Sequence, residues 1–202
     1  MSFGIDERSH PIMKIVTPLL VAAYAPELGA GEGRAVGVGL VAAAAGTERA
    51  IAEARPERML LVGTCGAMPG SGLAIGSLIV VERAVLIVRP GEYVPGIMGA
   101  EAEADAAWAA ECARVIGAPL VTAASGLGVT SSDDEARRLA RNAAVEHLES
   151  FAVLSVAAGR VAATAVLAVA NVVGANAHAE WKANRVAAEA AASAAVRKLL
   201  DG

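Results

Sequence analysis

The stretch AVLAVANVVGANAHAEW, residues 165–181, decides the fold because it runs from a buried strand towards a helix through one polar residue. Residues 165–170 are all Ala, Val or Leu, and a short continuous apolar run is typical of a strand covered on both faces of a sheet. Asn171 interrupts the run. Packing requires no amide there, so we expect Asn171 either to contact a ligand or to form a turn with its own backbone.

Strands and helices alternate in the same way along the rest of the chain. Strands are predicted within residues 15–24, 58–67, 76–88, 119–126, 143–147 and 164–172, and helices within 102–117, 131–142, 148–159 and 179–200. Residues 35–54 turn from strand to helix near Gly39. This alternation predicts one α/β domain, a three-layer sandwich in which helices flank a mostly parallel central sheet. The domain is expected to span residues 1–202, with 1–12 as an N-terminal extension.

Composition excludes several classes of function. Hydrophobic residues make up 55% of the chain and aromatic residues only 3%, so the core must consist of small aliphatic side chains. The net charge of -4 without a long run of one sign argues against nucleic-acid binding. No apolar run is long enough to span a bilayer. Residues 13–25 resemble a signal peptide, but acidic residues precede them, so we interpret this run as the first buried strand.

The cysteines and histidines predict no cofactor and no metal. Cys65 and Cys112 are the only cysteines, and without a CxxC motif they indicate two reduced thiols in a cytoplasmic protein. The histidines, His10, His147 and His178, have no partner at the spacing of metal ligands. We expect them at the surface or at helix ends.

Candidate site residues stand where predicted strands end. Ligands of open α/β sheets bind at the carboxyl ends of strands, and polar residues at those ends are Glu27, Thr64, residues 125–132, Glu149 and Asn171. Two glycine-containing stretches, residues 37–46 and 62–81, also approach such ends. Residues 37–46, GVGLVAAAAG, only weakly match a dinucleotide-binding turn, because the third glycine is misplaced.

Five segments together resemble the superfamily of nucleoside phosphorylases and nucleosidases. They are AYAPEL (23–28), GVGLVAAAAGTERAI (37–51), VGTCGAMPGSGLAIGSLIVV (62–81), VEHLESFAVLSVA (145–157) and LAVANVVG (167–174). Each segment is weak evidence alone, whereas the ordered set is specific. Within the superfamily the segments resemble those of futalosine hydrolase and 5'-methylthioadenosine/S-adenosylhomocysteine nucleosidase, and a downstream tryptophan, Trp181, strengthens the resemblance to futalosine hydrolase.

The resemblance implies a role for each matching residue. Glu27 corresponds to the carboxylate that activates the attacking water, Glu149 to the glutamate that binds the ribose hydroxyls, and Asn171 to the residue that contacts the leaving purine. Val129 stands where a base-stacking phenylalanine is often found, which puts strong stacking in doubt. The other substrate-binding positions are Gly39, Thr64, Cys65, Gly66, Leu148 and Trp181.

These residue types suit the cleavage of an N-glycosidic bond. Its transition state is positive at the sugar, and carboxylates can stabilise that charge, orient water and hold the ribose. An asparagine cannot protonate the departing base, but its amide both donates and accepts hydrogen bonds. Asn171 therefore favours a 6-oxopurine nucleoside such as futalosine over an adenine nucleoside.

Alternatives remain open at this stage. A phosphorylase needs cationic groups for phosphate, yet Leu61 replaces the arginine that precedes the VGSCG segment of bacterial phosphorylases, and only Arg34, Arg89 or a partner's arginine is left for that role. A non-catalytic nucleoside-binding or scaffold protein is a further alternative. Taken singly, Glu27 can be a solvated turn residue and Glu149 a complement to a helix dipole. The resemblance also implies a homodimer or larger homo-oligomer.

Overall fold

The computed structural model describes residues 17–29, 31–88 and 99–201. The predicted extension at 1–12, His10 and Arg89 lie outside these ranges. The strands are β1 Leu19–Ala22, β2 Gly33–Ala35, β3 Arg58–Ala67, β4 Leu78–Leu86, β5 Glu101–Glu103, β6 Leu120–Ser125, β7 Val145–Glu146 and β8 Ala162–Val172. The helices are α1 Leu40–Ala54, α2 Ala106–Ile116, α3 Asp133–Leu139, α4 Ser150–Ala157 and α5 Ala177–Asp201, with a short 3-10 helix at Ala25–Leu28.

The α/β class is confirmed, but the prediction of a mostly parallel sheet is wrong. Among the described residues the sheet is mixed: β3 pairs antiparallel with β7, and β4 pairs antiparallel with both β5 and β8. The remaining pairings are parallel. For the opposite directions of β3 and β4 the reason lies in the connection between them, which contains no helix. Without a crossover helix the chain returns in the opposite direction.

β8 joins the two halves of the sheet. It pairs with β3 along almost its whole length and with β4 on its other side. Since β3 also reaches β4 through β7 and β6, these five strands form a closed ring of pairings. The carboxyl ends of β1, β3 and β8 consequently meet at one edge.

Side chains of the central strands alternate between two helical layers. On β3, Met59 and Leu61 pack with α1 and α4, whereas Leu60 and Val62 pack with α2 and α5. Period-two alternation in a strand produces this division. Small side chains dominate both layers, as the composition predicts. None of the helices in the described ranges has the length and apolar character needed to cross a membrane.

The start of α2 differs from the prediction. The predicted helix at 102–117 begins only at Ala106, because Ala102 and Glu103 belong to β5 and pair with β4. Asp105 caps the helix, and its side chain accepts a hydrogen bond from the Trp108 N–H at 2.8 Å. The short strand carried too few residues to show an alternating pattern.

Leu167→Ala is expected to lower the free energy of unfolding by about 2–5 kcal/mol, because it leaves a cavity at the fully buried centre of β8. Urea denaturation of the purified variants measures this change. Leu127→Ala is the matched control, since the Leu127 side chain is 91% exposed, and it should change the free energy by less than about 0.5 kcal/mol. Equal effects of the two substitutions would contradict the placement of β8 in the core.

Candidate active site

Glu27 is a buried carboxyl group at the end of β1. It belongs to the 3-10 helix that follows this strand and is only 3% exposed. Its Oε1 accepts hydrogen bonds from the Thr64 N–H at 3.0 Å and from the Thr64 hydroxyl at 3.3 Å. Its Oε2 is buried and has no hydrogen-bond partner among the described residues. Glu27 is therefore not a solvated turn residue.

The surroundings of Glu27 shift its acidity. Burial is the main reason why the pKa of Glu27 is raised to about 7, and the negative charge of Glu149 also raises it. The hydrogen bond from the Thr64 N–H acts in the opposite direction and lowers this pKa. Close packing at Gly63 adds to the burial, because a Cβ atom there would lie 3.0 Å from Glu27 Oε1. A carboxyl group with a pKa near neutrality can accept a proton during a reaction.

Glu149 is a second buried carboxyl group, between β7 and α4. It is 4% exposed, and although it precedes the first residue of α4, its side chain does not cap that helix. Oε1 instead accepts the Gly39 N–H at 2.7 Å, and Oε2 lies 3.3 Å from His147 Nε2. A role limited to the dipole of α4 does not account for these long-range contacts.

Asn171 lies next to the end of β8, opposite Gly66 of β3. The register of the two strands shifts between Cys65 and Gly66, so that Asn171 faces the glycine. A Cβ atom at Gly66 would lie 2.8 Å from Asn171 Nδ2. Any side chain at this position would therefore clash with the Asn171 amide. Asn171 is 8% exposed, and its side chain forms no hydrogen bond with the residues that the structure describes. Its amide is available to a ligand.

One cavity of about 430 Å³ contains Glu27, Glu149 and Asn171. The other sequence-predicted residues in its wall are Thr64, Cys65, Gly66, Val129, Leu148 and Trp181. Gly39 is the exception, since it does not line the cavity and contributes its N–H to Glu149. Two other cavities, of about 530 and 480 Å³, lie beside β5 and β4, and no buried carboxyl group lines either of them. The structure thus assembles the predicted residues in one place.

Thr64 and Trp181 form a chain of hydrogen bonds that ends on Glu27. The indole Nε1 of Trp181 donates to Thr64 Oγ1 at 3.2 Å, and the Thr64 hydroxyl donates to Glu27. The chain ties the first turns of α5 to the end of β1. Both side chains were predicted to contact substrate, and the structure gives them in addition the task of orienting Glu27.

Sequence reasoning missed four residues of the cavity wall that can ionise. They are Tyr24, Glu146, His147 and His178. Glu146 is fixed, because its carboxylate accepts the Thr130 hydroxyl at 2.5 Å and the Thr130 N–H. The ring of His178 is stacked on Trp181, with the two centroids 6.2 Å apart. Of these four residues, only Glu146 and His147 could have been found from the sequence, because they stand close to Glu149 in the chain.

The described wall of the cavity contains no lysine or arginine. Leu61, at the position where the related phosphorylases have an arginine, is fully buried in the core. Arg34 pairs with Glu53 at the surface. Within the described residues, no three His, Cys, Asp or Glu side chains are grouped so as to hold a metal ion. The cavity is therefore acidic, and burial also raises the pKa of the Cys65 thiol, which keeps it protonated.

Comparisons with known proteins identify the family and the fold. The sequence model of the family described as the phosphorylase superfamily matches residues 28–201. A search of curated proteins found no match.

Three similar solved structures illustrate the fold. The 5'-methylthioadenosine/S-adenosylhomocysteine nucleosidase of Neisseria meningitidis, in complex with methylthio-immucillin-A, has a TM-score of 0.79 at 17% identity and covers 92% of this chain and 99% of its own. The S-adenosylhomocysteine nucleosidase of Streptococcus pyogenes has a TM-score of 0.81 at 18% identity, with coverage of 94% and 98%. The futalosine hydrolase of Helicobacter pylori has a TM-score of 0.80 at 15% identity, with coverage of 90% and 96%.

The raised pKa of Glu27 predicts a pH-dependent cost in stability. The folded protein holds the Glu27 proton up to a pKa of about 7, whereas the unfolded chain loses it near 4.5. Stability from this group is therefore complete at low pH and is lost as the pH rises from about 4.5 to 7. Compared with Glu27→Gln, the wild-type protein should lose about 2–3 kcal/mol of unfolding free energy between pH 5 and pH 8.

Denaturant titration of the two proteins at several pH values measures this difference. Glu57→Gln, at an exposed glutamate, is the control and should keep a constant offset from the wild type. An offset between Glu27→Gln and the wild type that did not change with pH would contradict the raised pKa.

Proposed function

The chain belongs to the phosphorylase superfamily, and on this basis we propose that it hydrolyses the N-glycosidic bond of a purine nucleoside. One observation carries the proposal. Glu27 Oε2 is a buried acceptor without a partner among the described residues, in the same cavity as Glu149 and Asn171. A buried polar atom left without a partner is costly, and a water molecule held for reaction supplies that partner.

Glu27 is the group that activates water. With Oε1 held by Thr64, Oε2 accepts a hydrogen bond from the water and takes its proton as the C–O bond to the sugar forms. A pKa of about 7 is suited to this transfer at neutral pH. The ionised carboxylate also stabilises the positive charge that develops on the sugar as the bond to the base breaks.

Glu149 holds the sugar. Among the described residues, Oε1 contacts Gly39 and Oε2 contacts His147, and each carboxylate oxygen has a further acceptor site. Those sites suit the two neighbouring hydroxyls of a ribose. Hydrogen bonds of this kind fix the sugar relative to the water and strengthen as the charge develops.

Asn171 contacts the departing base. Its free amide can donate to the ring nitrogen or to the carbonyl oxygen of a 6-oxopurine, and the negative charge that leaves with the base strengthens such a bond. A 6-oxopurine nucleoside such as futalosine is the substrate we propose.

Water is a better candidate for the nucleophile than phosphate. A phosphate dianion requires cationic or multiple N–H donors, whereas the described wall of the cavity contains three acidic residues and no lysine or arginine. Glu27, Glu146 and Glu149 would repel the dianion. No observation favours the phosphorylase alternative or the non-catalytic scaffold, and both remain as outcomes of the assay below.

A homo-oligomer in the cytoplasm remains a prediction. In support of the oligomer, apolar side chains are exposed at the cavity, where Val38 and Val129 are each 62% accessible, and Leu127, two residues before Val129, is 91% accessible. Burial of such side chains against a second copy would remove them from water.

Glu27→Gln is expected to lower kcat/KM by about 10²–10⁴, because the amide cannot accept the proton of water. The assay separates the products formed from inosine, futalosine, methylthioadenosine and adenosine, each with and without phosphate. The wild-type kcat/KM should rise with pH through about 7, as Glu27 ionises. Free base and free sugar, formed at a rate independent of phosphate, are the expected products.

Glu57→Gln serves as the control for this substitution and should retain wild-type activity, since Glu57 is exposed and does not line the cavity. Full activity of Glu27→Gln would refute the mechanism. Sugar 1-phosphate formed only with phosphate would identify a phosphorylase, and no product at all would favour the scaffold.

Asn171→Asp is expected to shift the preference from 6-oxopurine towards adenine nucleosides. A protonated aspartic acid can give its proton to the departing adenine, which the asparagine amide cannot do. The ratio of kcat/KM for methylthioadenosine to that for inosine should rise by about tenfold or more. Asn142→Asp, at an exposed position away from the cavity, is the control. An unchanged ratio would show that Asn171 does not select the base.

A further inference from the structure

His147 is a buried residue of the cavity to which the mechanism above assigns no task. It lies between β7 and α4, and 5% of its surface is exposed. Its backbone is fixed on both sides: the N–H donates to the Ala124 carbonyl at 2.9 Å, and the carbonyl accepts the Ser125 hydroxyl at 2.5 Å. The ring is thus attached to a rigid point of the sheet.

Both ring nitrogens of His147 have a polar neighbour. Nδ1 lies 2.8 Å from the Ser150 hydroxyl oxygen, and Nε2 lies 3.3 Å from Glu149 Oε2. Burial lowers the pKa of His147, although the charge of Glu149 acts in the opposite direction. The ring is accordingly neutral near neutral pH and carries a single N–H.

The two neighbours determine which nitrogen carries that proton. An ionised carboxylate can only accept, whereas a serine hydroxyl can also donate. Both ring nitrogens face a partner of the right kind when Nε2–H points towards Glu149 Oε2, 3.3 Å away, and the Ser150 hydroxyl donates to Nδ1. The opposite tautomer would leave Nε2 and Glu149 Oε2, two acceptors, facing each other at 3.3 Å.

We propose that His147, as the neutral Nε2–H tautomer, is a positioning residue that holds Glu149 in the orientation required by the sugar hydroxyls. The inference rests on the proposed function, in which Glu149 binds the ribose. Gly39 alone fixes one oxygen of the carboxylate, and the terminal torsion of a glutamate is broad. The second donor fixes the plane of the carboxylate and hence the direction of its remaining acceptor sites.

Loss of this donor should affect activity strongly. A misplacement of a positioning group by about 1 Å can lower a rate by about 10²-fold. His147→Asn places its amide near the former Nδ1 and does not reach Glu149, so we expect kcat/KM to fall about 10- to 100-fold. His147→Gln places an amide N–H near the former Nε2, and it should restore activity to within a few fold of the wild type.

A tautomer measurement tests the contact without any substrate. Long-range ¹H–¹⁵N NMR spectra of the wild-type protein, labelled at its three histidines, distinguish charged rings from both neutral tautomers, and His147→Gln assigns the His147 signals. We expect a neutral ring with the proton on Nε2 near neutral pH. A charged ring or a proton on Nδ1 would overturn the inference.

A double-mutant cycle tests whether His147 acts through Glu149. His147→Asn should lower kcat/KM in the wild-type background and have no further effect in the Glu149→Ala background. Equal losses in both backgrounds would indicate a structural role and overturn the inference. Turnover combined with the wrong tautomer would refute this inference alone. The predicted tautomer without any turnover would instead refute the proposed function and, with it, the role of His147 in sugar binding.

Discussion

The local geometry of the β3–β8 ladder is the constraint on which the site depends. Cys65 lies opposite Val169, and an undisturbed ladder would place Ala170 opposite Gly66, yet Asn171 occupies that place. The extra residue of the bulge redirects the side chains that follow it. An amide thereby replaces a methyl group at the edge of the cavity, and a glycine opposite provides its space.

The neighbouring edge of β3 accommodates Glu27 for a related reason. β1 ends at Ala22, opposite Val62, so that β3 continues without β1 as its partner. The 3-10 helix after β1 brings Glu27 to this free edge, where the Thr64 N–H donates to it instead of to a strand. Because β1 ends before β3 does, the Glu27 carboxyl group and the Thr64 N–H meet at the cavity.

Most of the order of strands and helices was predictable from local patterns in the sequence, whereas the short strand β5 was not. Glu27, Glu149 and Asn171 follow apolar runs, and their meeting at one cavity agrees with the rule for strand ends. The direction of β4 was not predictable from alternation, since it depends on a connection without a helix. The ring contacts of His147 were not predictable either, because they arise from the bend between β7 and α4.

The same burial that makes Glu27 costly to ionise makes it useful. In the folded protein its carboxylate has lost most of its contact with water, and the negative charges of Glu149 and Glu189 add repulsion. In the proposed reaction, a positive charge that develops on the bound sugar would offset this penalty, because the interaction between opposite charges is strong where water is excluded. Ionised Glu27 therefore destabilises the folded protein but would stabilise the transition state of the proposed reaction. A glutamine at the same position would raise the free energy of unfolding at neutral pH, but it would leave the developing cation without a negative charge beside it. Stability and activity therefore place opposite demands on this position.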